Sequence, residues 1–183
     1  AAIGGSTEQS GFYISNDQGE SWTQSNTGLQ EATTISRIQF DISQSDPNMM
    51  FAVIYEFPGM EHPWTGTTRA FKSEDGGLSW TQISEGVNLS GLDYDQGFYN
   101  LSIVIDPTNP DHVLLGSSLL FETFNGADFS QKWASFSSAV VVPHNDFHKL
   151  VYSSSNPEYF YLGCDGGVYQ SSDTCKTFTS KND

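Results

Sequence analysis

Ser15-Asn16-Asp17-Gln18-Gly19-Glu20-Ser21-Trp22 returns, little changed, as Ser73-Glu74-Asp75-Gly76-Gly77-Leu78-Ser79-Trp80. Two worn copies follow. Ser171-Ser172-Asp173-Thr174-Cys175-Lys176-Thr177-Phe178 has Phe in place of Trp and Cys in place of Gly; Thr123-Phe124-Asn125-Gly126 opens a copy that reaches Trp133 three residues late. The pattern reads as a hairpin. Ser ends one strand, Asp accepts hydrogen bonds from turn amides and hydroxyls, Gly takes a backbone conformation other residues resist, and Trp starts the returning strand against the core. The aspartates and Asn125 are spaced 58, 50 and 48 residues apart, which suits one small antiparallel sheet per repeat.

The pattern Ser-x-Asp-x-Gly-x-Ser/Thr-Trp resembles the Asp-box of sialidase-like and sortilin-like β-propellers. Gln96-Gly97-Phe98-Tyr99-Asn100-Leu101, Asp106-Pro107-Thr108-Asn109-Pro110, His144-Asn145-Asp146-Phe147-His148 and Gly163-Cys164-Asp165-Gly166-Gly167-Val168-Tyr169 look like repeats of large secreted bacterial surface proteins of this group. The resemblance covers nearly the whole chain. It implies an all-β fold, a partial β-propeller of four-stranded antiparallel blades, located outside the cell or at its surface. It also implies that Asp17, Trp22, Asp75, Trp80, Asn125 and Asp173 are scaffold and lie away from the binding face.

The chain of 183 residues allows a real core but not a closed ring at this repeat length. It divides into the outer half of a blade (1–28) and three blades (29–86, 87–136, 137–183). The ring is expected to continue in the remainder of the same polypeptide. Ile38, Phe40 and Ile42 alternate with polar residues, the period of a half-buried strand, while the apolar run Phe51–Tyr55 suits a strand covered on both sides. No stretch reads as a long amphipathic helix. Asn109-Pro110 and Asn156-Pro157 are expected in turns between first and second strands. In an up-and-down meander those turns share one rim with the Asp-boxes. The opposite rim collects the insertion 56–69, the connections 85–98 and 134–146, and Asp165-Gly166-Gly167, the better place for binding.

Seven Lys plus Arg stand against 22 Asp plus Glu, a formal charge of −15. Such a surface repels phosphate backbones and anionic membranes, so nucleic-acid binding is not expected. No apolar run is long enough to insert in a membrane. Ala1–Gly5 lacks the charged start and apolar segment of a secretory leader. Asn88-Leu89-Ser90 and Asn100-Leu101-Ser102 are sequons that matter only in a eukaryotic secretory pathway. Cys164 and Cys175 are expected near opposite ends of one strand, too far apart for a disulfide, and hence free or bonded elsewhere.

His144, Asp146 and His148 alternate, so an extended backbone would point all three one way, with Asp165 as a candidate partner. Two imidazoles and a carboxylate could hold a divalent cation; the plainer reading is a hydrogen-bonded network, and no cofactor is required. Asp146 and Asp165, with Asp93 and Asp95, are the candidate acids if the chain is a glycoside hydrolase of the xyloglucanase type. A sialidase is excluded, since that family clamps its substrate with three arginines and this chain has Arg37 and Arg69 alone. Trp64, His62 and Met60, with Tyr94 and Phe98, offer an aromatic platform for sugar rings or a protein. The leading expectation is a module that binds glycan or protein through this rim and through His144 and His148. A hydrolase is the alternative and a structural spacer the third reading.

Overall fold

The computed structural model describes residues 1–57, 66–89, 96–127, 130–131 and 143–182. These form four antiparallel sheets. Sheet I holds β1 (Ala2–Ile3), β2 (Gly11–Ile14) and β3 (Thr23–Gln24). Sheet II holds β4 (Ile35–Ile42), β5 (Met50–Glu56), β6 (Thr67–Ser73) and β7 (Thr81–Gln82). Sheet III holds β8 (Ser102–Asp106), β9 (Asn109–Gly116), β10 (Leu120–Thr123) and β11 (Ser130–Gln131). Sheet IV holds β12 (Phe147–Tyr152), β13 (Phe160–Cys164), β14 (Gly167–Ser171) and β15 (Thr179–Ser180). Strands follow sequence order within each sheet. In the three-stranded sheet I the N-terminal stretch supplies β1, with Ala2 opposite Phe12, and β2 takes the place of the third strand of the full sheets. A single 3-10 turn, Ala32–Thr34, interrupts the described residues, and none of them forms a helix long and apolar enough to cross a membrane.

The sheets stack face to face, with β5, β8 and β10 burying both sets of alternating side chains. Phe51, Val53 and Tyr55 of β5 meet Ile103, Ile105, Val113 and Leu115 of sheet III. The intervening Met50, Ala52 and Ile54 turn the other way, toward Phe12 of sheet I. Val104 and Leu114 face Phe147, Leu150, Phe160 and Leu162 of sheet IV. That is why Phe51–Tyr55 is continuously apolar; each such side chain contributes about 1.5–3 kcal/mol. Side-chain-to-backbone bonds between first strands add to the packing: Asp41 Oδ2 accepts from the Ile105 amide at 2.9 Å and Ser102 Oγ from the Leu150 amide at 3.0 Å. The result is part of a β-propeller.

The repeated turns are knotted by their own side chains. Ser73 Oγ donates to Asp75 Oδ1 at 2.8 Å and accepts from the Gly77 amide at 2.9 Å, while Asp75 Oδ1 accepts from the Ser79 amide at 2.9 Å. The Asp17 turn repeats these bonds, the Ser21 amide reaching Asp17 Oδ1 at 2.9 Å, and so does the Asp173 turn, with Thr177 reaching Asp173 Oδ1 at 2.9 Å. Asn125 keeps a reduced version, taking Thr123 Oγ1 at 2.8 Å and the Ala127 amide at 3.0 Å. The aromatics differ. Trp80 is 3% exposed and stacks on Phe12 at 4.2 Å, whereas Trp22 is 50% exposed, against the expectation that it packs on the core; among the described residues Trp22 belongs to no buried cluster. Trp133 lies outside the described residues.

A second repeat escaped the sequence reading. Four residues past each aromatic of the full turns stands a side chain that accepts from a third-strand amide fourteen residues upstream: Asn26 from Phe12 at 2.9 Å, Ser84 from Ala70 at 2.9 Å and Asn182 from Val168 at 2.7 Å. Two local expectations shift. Asn156-Pro157 stays in its turn, but Asn109-Pro110 opens β9 and the turn falls on Pro107-Thr108. Cys164 closes β13 rather than starting the next strand, and both cysteines are buried and not bridged to each other. Of the two sequons, Asn88 is exposed while Asn100 is fully buried and closed to modification.

Candidate functional site

Alternate strand directions put the Asp turns and the turns at Asp46-Pro47, Pro107-Thr108 and Asn156-Pro157 on one rim. The other rim receives the connections after second strands, including Asp165-Gly166, and the approach to each first strand. Three short segments converge there: 96–100 before β8, 143–147 before β12, and the turn after β13.

The contacts are specific. His148 Nε2 lies 2.7 Å from Asp165 Oδ1. The Tyr99 ring meets the His148 ring edge-on, centroids 5.0 Å apart at 81°. Asn100 Nδ2 donates to Asp146 Oδ1. Asn100 itself is fully buried, and Asp146 is fixed further by its amide, which donates to the Ser118 carbonyl at 3.1 Å. His144 packs over Gly166, where a Cβ would stand 2.6 Å from the His144 Cβ, so only glycine lets these segments meet. Asn182 Nδ2 holds the Gly166 carbonyl at 2.8 Å and thereby ties the Asp165 turn to the outer strand.

The alternation expected of His144, Asp146 and His148 does not hold. Asp146 has φ +67°, left-handed rather than extended, and the register of β12 against β13 shifts between Phe147 and Lys149. That bulge re-aims His148. His148 turns to Asp165, Asp146 to Asn100, and His144 Nδ1 to the Asn145 carbonyl at 3.1 Å. Among the described residues no group of three or more His, Cys, Asp or Glu side chains could hold a metal ion, so the expected metal set His144, Asp146, His148 does not assemble. His62 and Trp64 fall within 58–65 and Tyr94 within 90–95, outside the described residues. Phe98 of the expected platform packs inward on Tyr55, centroids 6.0 Å apart, leaving Tyr99, 58% exposed, as the aromatic that faces out.

The two aspartates occupy different environments. Burial pushes the Asp146 carboxyl above the usual range and the nearby Asp165 charge adds to this, while His144, His148 and the Asn100 bond pull the other way. Asp165 is half-exposed beside an imidazole. The rim thus offers a carboxyl biased toward its protonated form, an accessible carboxylate paired with histidine, and an aromatic ring. Tyr99 and Asn100 were missed as site residues because the segment 96–100 carries no charge and matches no ligand motif.

The opposite rim holds a second charged cluster. His112, 1% exposed, places Nδ1 2.9 Å from Asp106 Oδ2 and Nε2 2.9 Å from Glu122 Oε1, with the Phe124 ring stacked at 4.5 Å. It bridges three strands of sheet III, and with both ring nitrogens taken by carboxylates the buried imidazole reads as structural.

No family model matches the chain, and no curated protein does. Solved structures do. The GH74 enzyme of Niastella koreensis is similar with a TM-score of 0.63 at 18% identity, covering 97% of this chain and 28% of that one. An ancestral GH74 enzyme matches with a TM-score of 0.61 at 18% identity, over 97% of this chain and 22% of the other. The GH74 xyloglucanase of Xanthomonas campestris has a TM-score of 0.61 at 18% identity, over 94% and 27%. At this identity the likeness shows the fold, and the chain spans 22–28% of those enzymes' length.

Proposed function

We propose that this chain is a stretch of a secreted or cell-surface β-propeller whose Asp-boxes build the scaffold and whose opposite rim binds a glycan or a protein partner, with glycan the reading the site supports best. The observation that carries it is the exposed Tyr99 ring set against the His148–Asp165 pair. Sugar recognition needs this combination of an aromatic surface and fixed polar groups beside it. The reading requires no cofactor. The remainder of the same polypeptide is the proposed cover for sheet IV. Val151, 43% exposed, stands where the repeat places Val104 of sheet III, and Val104 is buried against the following sheet.

Hydrolysis of a polysaccharide by an endoglucanase of the xyloglucanase type is the second reading. It is favoured by Asp146 and Asp165 lying near each other on one rim, with burial and the Asp165 charge raising the Asp146 carboxyl above the usual range. Titration calorimetry with xyloglucan and other β-glucan oligosaccharides tests the first. Asp165→Asn and Tyr99→Ala abolish binding, and Asp75→Asn on the other rim leaves it intact. Equal loss in all three variants overturns the assignment of rims. Release of reducing ends that disappears in Asp146→Asn establishes the second reading.

A further inference from the structure

We propose that Arg37 is a positioning residue for this rim, holding the 96–100 segment in place from the neighbouring sheet. The idea rests on the rim being the binding face, but the contacts that define it are independent of any ligand.

Arg37 lies on β4, the first strand of sheet II, immediately after a register shift between Ile35 and Arg37 in its pairing with β5. A shift of this kind swings a side chain out of the regular pleat. The Arg37 Nη1 donates to the Phe98 carbonyl at 3.1 Å and also to the Tyr99 carbonyl. The next residue is Asn100, which donates to Asp146, and Tyr99 carries the ring that meets His148. One guanidinium on sheet II therefore stands one contact away from both halves of the site between sheets III and IV.

The rest of the segment is shaped for this. The Tyr99 and Asn100 amides both donate to the Gln96 carbonyl, at 2.8 and 3.0 Å, which curls the backbone so that its carbonyls face β4. Gly97 lets the curl lie flat on sheet II; a Cβ there would stand 2.5 Å from Thr68 Oγ1 and 2.7 Å from Tyr55 Cδ2. A charged donor satisfies such carbonyls more strongly than a neutral one. Arg37 touches neither Asp146 nor His148. Its role is to fix where Tyr99 and Asn100 sit.

A second tie from the same strand supplies the control. Asp41 also reaches sheet III, accepting from the Ile105 amide at 2.9 Å, but it does so away from the 96–100 segment. In the full 183-residue chain, NMR reads the cross-relaxation between the Tyr99 and His148 rings and the ring-current shift of the His148 carbon-bound protons. Arg37→Met is expected to abolish both while Asp41→Asn preserves them. Arg37→Lys, which keeps a cation of shorter reach, reduces them and serves if the Met variant does not fold. Oligosaccharide affinity, where the wild type shows it, falls about tenfold in Arg37→Met and not in Asp41→Asn. Retention of the ring contact in the Arg37 variants, or equal loss in Asp41→Asn, overturns the proposal. Absence of glycan binding by the wild type bears on the proposed function and leaves the ring measurement to decide this one.

Discussion

Asp165 Oδ1 stands 2.7 Å from His148 Nε2, binding the first strand of sheet IV to the turn that follows its second. Both side chains are partly exposed, 33% for His148 and 49% for Asp165, so solvent screens the pair and it adds only about 0–1 kcal/mol to stability. Asp165→Asn is therefore expected to leave the melting temperature within a few degrees of the wild type while removing ligand binding. Thermal denaturation and calorimetry on one sample check both halves.

Asn182 controls the same turn from behind. Its side chain accepts from the Val168 amide and donates to the Gly166 carbonyl. Asn182→Ala removes two bonds at groups that water reaches, with the Tyr169 hydroxyl still donating to the Gly166 carbonyl, and costs about 0.5–1.5 kcal/mol in urea denaturation. Hydrogen exchange at Val168 quickens, and ligand affinity falls because Asp165 loses its backing.

The Asp turns set the response to acid. Hydrogen bonds from the Ser21 hydroxyl and amide, and from Ser15, bring Asp17 down to about 2; the Ser79 hydroxyl and amide, with Ser73, do the same for Asp75. For Asp173 burial pushes upward, and the bonds from Thr177 and Ser171 outweigh it and bring it to about 2. Folded values below the unfolded one mean that this stabilisation is present above about pH 4 and is lost as pH falls toward 2. Melting temperature measured from pH 5 to pH 2 drops across that window, and the Asp17→Asn, Asp75→Asn, Asp173→Asn triple variant starts lower and drops less.

His112 sets the response to alkali. Burial pulls its pKa down, but the hydrogen bonds to Glu122 and Asp106 prevail and raise it above the ordinary 6.5. Its contribution is complete below that value and is lost as pH rises through the higher folded one. Removing the imidazole leaves two buried carboxylates facing each other, so His112→Ala costs about 3–5 kcal/mol. Stability measured from pH 6 to pH 9 declines in the wild type and is flat in this variant.

The fold was legible because its signal is local and periodic. Asp17, Asp75 and Asp173 announce a turn wherever they stand, and the apolar alternation on either side supplies the strands. Ser84, Asn26 and Asn182 were not legible, since a polar residue after a strand looks like any loop residue until the third strand lies beside it. The site divides the same way. His148 and Asp165 could be paired from the meander alone, but the alternation of His144, Asp146 and His148 presumed an extended backbone that the left-handed Asp146 and the bulge at His148 break. Tyr99 and Asn100 become site residues only through the folded contacts that bring the Tyr99 ring to His148 and the Asn100 amide to Asp146.

The central claim is that ligand binds on the rim of Tyr99, Asp146, His148 and Asp165, and not on the rim of the Asp turns. Backbone chemical-shift mapping during titration with a β-glucan oligosaccharide tests it directly. Shifts concentrated at 96–100, 143–148 and 164–168 are predicted; shifts concentrated at 15–22, 73–80 and 171–178 would contradict it.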